Sequence, residues 1–208
     1  MGKKRDWSDK MTPALKTAIQ QVAHASYLNA CELMKDSMVL KREGRYARAG
    51  ALTILSEEEF SKAFILLVCL EQNRWDSVIV DALRRHPEKQ GIANGMREYM
   101  AWLVENHERV MKMNQISFVP LTPATFPGRQ RLEEIIAKTK QEIGIKRKDK
   151  LKQSLLYVGF NRKADITSDP REVDMSMVEN CLNETKKFKE IVELAMFRLM
   201  PGFSAIVI

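Results

Sequence analysis

The chain has little of what would announce a metal, a cofactor or a secreted life. It holds three Cys and three His in 208 residues. Cys31, Cys69 and Cys181 are dispersed, odd in number and joined by no metal-ligand spacing, so three small buried hydrophobes are expected rather than a disulfide framework. His24, His86 and His107 lack zinc-type partners at useful spacing, and HExxH is absent. Without GxGxxG or GxxxxGK there is no phosphate-cradling glycine loop of the dinucleotide or P-loop kind. No metal and no cofactor is expected. The longest strongly apolar piece, Ala63 to Leu70, is far too short to span a bilayer. The start MGKKRDWSDK is basic, has no apolar signal core behind it, and lacks the Ser or Thr that a myristoylation signal would carry near position 6. A cytoplasmic protein with no membrane partner is the expectation.

What is present is helical periodicity and positive charge. Lys and Arg number 34 against 27 Asp and Glu, a net +7. That surplus permits nucleic-acid binding, and it is equally what a solvated basic surface would show. Thr12-Pro13 is a helix entry, with Thr as cap and Pro at the first helical position. Leu15, Ile19, Val22, Ala23, Ala30, Leu33, Met34 and Met38 then form a helical stripe, close to Asn29 and Glu32. Gly44 ends that helix, and the next returns antiparallel to it. Trp75 to Leu83 reads as a shorter helical piece and Pro87 to about Met113 as another. Three Pro between Asn114 and Gly128 make irregular chain, and Arg129 to Ile143 an amphipathic helix. Lys146 to Lys152 is a basic run with five Lys or Arg in seven residues. Ser154 to Phe160 is the strand candidate. A helix from about Glu172 to Leu199 closes the chain before Pro201-Gly202, and the apolar tail from Phe203 to Ile208 either docks on the bundle or joins a subunit interface.

The stretch GRYARAGALTILSEEEFSKAFILLVCL, residues 44 to 70, organises the rest. It is long enough to cross a small domain as one helix at about 1.5 Å per residue. The lines Leu52, Leu55, Glu59, Lys62, Leu66 and Ala51, Ile54, Glu58, Lys62, Ile65 are apolar at both ends and charged in the middle. Glu58 and Glu59 stand four and three residues before Lys62, so all three can meet on one face. Interior charge is expensive unless paired. The cluster is therefore either a satisfied ion pair at the edge of a core or a functional acid–base or nucleic-acid site.

His86 is the second candidate. It precedes Pro87, adjoins Arg84 and Arg85, and has Lys89 one turn into the next helix. An anion there would meet positive side chains and free backbone amides, beside a group that titrates near neutral pH. Tyr157 and its neighbours, next to the basic run of Lys146, Arg147 and Lys148, could read single-stranded nucleic acid; a small ordered β-turn capping the bundle explains them as well.

Three stretches resemble the AbiV-type abortive-infection proteins, a branch of the all-helical HEPN superfamily. GRYARAGALTILSEEEFSKA at 44 to 63 is similar to that family's helix entry and its Glu-Glu-x-x-Lys core, which falls on Glu58, Glu59 and Lys62. His86-Pro87-Glu88-Lys89 resembles its His-x-x-Lys element, and KLKQSLLYVGF at 150 to 160 its lysine-rich approach to a Tyr-Val-x-Phe strand. The resemblance spans about residues 14 to 175. It implies an all-α, antiparallel HEPN-like bundle with a small β-turn element and a C-terminal helix. Residues 1–113 would form the core bundle, with 114–208 a linker, basic segment and C-terminal helix packed on it as one continuous domain. It also implies a homodimer and a phage-defence toxin that arrests translation, with a phage protein as activator.

Many proteins of that superfamily are metal-independent ribonucleases with an Arg-x4–6-His pattern. Here no Arg precedes His86 or His107 at that interval; Arg84 and Arg85 adjoin His86 instead. Three readings follow. In the first, His86 is the general acid or base of RNA cleavage. Arg85 and Lys89 then stabilise the phosphorane, Glu58 or Glu59 orients the basic group, and Lys62 pairs with them or contacts phosphate. Arg84 and the basic run hold the RNA. In the second, the chain is a non-catalytic RNA- or protein-binding translation inhibitor or phage sensor. In the third, it is a structural helical protein whose basic surface is incidental.

Overall fold

The computed structural model describes residues 11–73, residues 75, 80, 83, 84, 89, 91, 93 and 95, and residues 144–206. The expected helix from Pro87 to Met113 lies mostly, and that from Arg129 to Ile143 wholly, outside the described residues.

Helix α1 runs Pro13–Arg42. Its start is the one the sequence signals: the Thr12 hydroxyl accepts from the Leu15 amide at 3.2 Å, and Pro13 takes the first helical position. Its end is set by Gly44, whose φ of +75° suits a residue without Cβ. The Gly44 amide reaches back to the Lys41 carbonyl at 3.0 Å and the Arg45 amide to Leu40 at 2.9 Å. The chain reverses within those few residues into α2, Tyr46–Gln72, which closes at the left-handed Asn73.

α2 is the axis of the fold. Helices α1, α3 (Gly144–Leu156) and α4 (Met175–Leu199) each pack on it. It is therefore sheathed on nearly every side, and between Tyr46 and Leu70 only Arg48 is exposed. A helix covered all round needs small or apolar residues all round. Its first half supplies Ala47, Ala49, Gly50, Ala51 and Thr53, and its second half Phe60, Ala63, Phe64, Leu66 and Leu67. Gly50 marks the tightest approach: a Cβ there would lie 3.0 Å from Leu155 of α3 and 3.3 Å from Val178 of α4.

Hydroxyls cross the α1–α2 seam where the backbones come close. The Ser56 hydroxyl donates to the Ala30 carbonyl at 2.7 Å. Ser37 and Thr53 lie 2.7 Å apart and share the Ala49 carbonyl. Each buried hydroxyl thus finds an acceptor, as burial demands.

The strand candidate Ser154 to Phe160 is corrected. Residues 154–156 belong to α3, and the strand β1 is only Gly159–Phe160, paired antiparallel with β2, Ile166–Ser168. The reason is burial. Leu151 and Leu155 are four apart, so helical geometry turns both onto α2, where Leu155 packs with Ala47, Ala51 and Ile54. That contact overrides the β-branched and aromatic bias of the segment. A 3-10 turn, Pro170–Glu172, follows β2, and Asp174 caps α4 through the Ser176 amide at 2.9 Å.

The tail docks as far as it is described. Phe203 meets Tyr27 and Phe197 edge-on, at centroid distances of 5.1 and 4.9 Å. The Ile206 amide donates to the Tyr27 hydroxyl at 3.0 Å. Trp75 and Leu83 pack against the same core, as the sequence expects, while Val78 and Ile79 lie outside the described residues. Among the described residues no helix is long and apolar enough to cross a membrane.

Candidate functional site

The charged middle of α2 divides between two neighbours. Glu58 faces α3 and is 2% exposed; the Lys152 ammonium donates to its carboxylate at 2.8 Å. Glu59 faces α1 and takes the Lys62 ammonium at 3.2 Å, in a half-buried pair. Adjacent positions on a helix point about 100° apart, and packing on both sides of α2 sends the two carboxylates to different helices.

The two pairs differ in consequence. The Glu58–Lys152 pair is closed: its side chains are 2% and 11% exposed, so breaking it disturbs charge inside the core. The Glu59–Lys62 pair opens onto a shallow depression of about 430 Å³ along the α1–α2 seam, shared with Gln21, Val22, Ser26 and Asn29. Lys62 thus has access to solvent.

Arg84 is exposed and Lys89 is buried. Arg85 and His86 lie outside the described residues. Lys146, Arg147 and Lys148 have helical backbone in α3, but their side chains lie outside the description. Tyr157, just past α3, is 67% exposed. Glu58 and Lys152 fix the helix that carries the basic run, so the buried pair and that run are mechanically linked.

Sequence reasoning missed Lys152. It sits inside a run that reads as solvated charge, yet it is beside Leu151 and one turn before Leu155, on the side of α3 that turns to α2. It missed a second network as well. The Tyr27 hydroxyl donates to Glu193 at 2.5 Å, and Lys189 donates to the same carboxylate at 2.5 Å. Burial and the bond to Glu193 push the Tyr27 phenol far above its usual value. Nothing local in the sequence joins residues so far apart along the chain.

A family model described as AbiV, of the HEPN group, matches residues 18–190. The chain belongs to the AbiV family. The matched span runs from the first turns of α1 into α4, and so takes in both ion pairs, the basic run and the hairpin. No curated protein and no solved structure matches the chain. Membership suggests an abortive-infection defence protein, and the helical architecture agrees with an HEPN-like bundle.

Proposed function

We propose that this AbiV protein is an anti-phage abortive-infection toxin that arrests translation by engaging RNA. Family membership over residues 18–190 is the observation that carries the reading. The net charge of +7 supports it. So does the placement of the Lys146 to Lys148 run on a helix pinned by Glu58 and Lys152, with Tyr157 exposed beside it. A basic helix next to exposed aromatics is the chemistry that single-stranded nucleic acid meets, with cations for the backbone and rings for the bases.

The burial of Glu58 favours binding as the main activity. A carboxylate closed into an ion pair with Lys152 serves the fold better than proton transfer. Cleavage remains the sharper version, with His86 as acid or base, Arg85 and Lys89 on the phosphorane, and Lys62 and Glu59 at the edge of the site. The protein would work in the cytoplasm as a homodimer, with Lys62, Arg84 and Lys89 assisting the contact to RNA or to the translation machinery, and a phage protein would release its activity.

Expression in a susceptible bacterial host should lower phage yield while infected cells stop growing. Purified protein added to a cell-free translation system should stop synthesis, and total RNA recovered from it should be intact for the binding version and cut for the cleavage version. Full protein synthesis with the soluble protein present, both with and without phage lysate, would overturn the toxin reading.

A further inference from the structure

We propose that this protein grips single-stranded RNA on one face that carries an arginine-lined groove and the β1–β2 hairpin beside it. The proposal rests on the RNA reading above and names where the strand lies. The groove, of about 630 Å³, opens between the α1–α2 turn, the end of α3 and the 3-10 turn. Arg45, Arg48 and Arg171 line it, over an apolar bed of Leu155, Leu156 and Val158. That volume suits a small organic group such as a nucleotide.

The hairpin continues the same face. Tyr157, Val158, Phe160 and Ile166 are 67%, 53%, 75% and 64% exposed. Nothing in a two-stranded ribbon requires so many large apolar side chains in water, and exposed apolar clusters mark contact surfaces. Around them stand the exposed cations Arg48, Lys150, Arg162, Lys163 and Arg171. Charge complementarity selects the occupant. Arginines bordering exposed aromatic rings fit a ligand that alternates anionic phosphates with flat apolar bases.

The carboxylates on this face do not cancel it. Glu43 is 3.4 Å from Arg45 in an exposed pair, and Asp169 receives Arg171 through its guanidinium. The Glu43–Arg45 pair is exposed on both sides and contributes little, so a phosphate can take the Arg45 guanidinium at small cost, whereas Arg171 stays held by Asp169, whose side chain is 7% exposed. Arg48 makes no ion pair among the described residues and is the first contact to test.

The test uses the full chain and a fluorescein-labelled 12-nucleotide single-stranded RNA of mixed sequence, read by anisotropy across a salt series. Tyr157→Ala with Phe160→Ala should weaken binding by roughly 5- to 150-fold for each stacked base lost. Arg48→Ala should weaken binding and reduce the log–log salt slope by about 0.7, the loss of one phosphate contact on a single strand. Lys187→Ala, an exposed lysine of α4 outside this face, should bind like the parent. Parental binding by both test variants, or an equal loss in Lys187→Ala, would overturn this face while leaving RNA engagement intact. A parent that binds no RNA, or that binds phosphatidylserine vesicles instead, would overturn the RNA reading and this proposal with it. Arg48→Ala carries the test by itself should the hairpin variant lose helicity.

Discussion

At the scale of single residues, position in the burial pattern decides what a charge does. Glu58 and Glu59 are adjacent and chemically alike, yet one is sealed against α3 and the other is at the wet α1 seam. Glu58→Ala should therefore destabilise the protein by about 3–5 kcal/mol, because it removes a carboxylate that the buried Lys152 ammonium contacts at 2.8 Å. Glu59→Ala should cost under about 1 kcal/mol, since half-exposed pairs are weak. Urea unfolding of the two variants separates them, and equal losses would mean that the carboxylates share one cluster after all. Tyr27→Phe is the second residue-scale prediction. It deletes a donor to a charged acceptor and the acceptor of the Ile206 amide, and should cost about 1.5–3 kcal/mol. Its pH signature has a definite sign. The folded phenol is held far above its usual 10.0, so the unfolded chain ionises first, and the contribution is full below pH 10 and lost above it. The difference in stability between parent and variant should shrink as pH rises beyond 10.

At the scale of elements, the legible parts were those governed by local rules. Thr12-Pro13 started α1 and Gly44 turned it, because caps and positive-φ glycines act within a few residues. The central role of α2 could be read from its length and its lack of a polar face. The end of α3 could not. Ser154 to Phe160 has the composition of a strand, and only the distant groove on α2 that receives Leu155 makes its first residues helical. The same distance effect hid Lys152 and the Tyr27–Glu193 bond. Gly50 joins the two levels: in sequence it is a helix breaker, and in the fold it is the notch that Leu155 and Val178 fill. Gly50→Leu should wedge α3 and α4 away from α2, costing about 3 kcal/mol or more in chemical denaturation despite the better helix propensity of leucine. Gly50→Ala should cost far less, because its Cβ meets the movable end of Leu155 at 3.0 Å and the helix gains up to about 1 kcal/mol from losing the glycine.

At the scale of the whole molecule, the proposed engagement of RNA has two versions, cleavage and binding. The usual arginine-to-histidine spacing of the superfamily's ribonucleases is missing before His86, and Arg84 and Arg85 stand directly beside it. Within the described part, Glu58 pairs with Lys152 of α3, Glu59 with Lys62 and Glu71 with Arg198 of α4, so a proton-transfer role would fall on His86. This makes one variant decisive. If the protein is a ribonuclease, His86→Ala should lower cleavage of total RNA by about 10²- to 10⁴-fold, the usual contribution of a general acid or base. Helicity and melting temperature should stay near those of the parent. Toxicity in infected cells should fall with it. If the protein arrests translation by binding, His86→Ala should leave both toxicity and RNA affinity near parental values, while Arg48→Ala and the hairpin variant reduce both. The two mechanisms therefore differ in what His86→Ala does. Cleavage at the parental rate by a folded His86→Ala protein would remove His86 from the chemistry altogether.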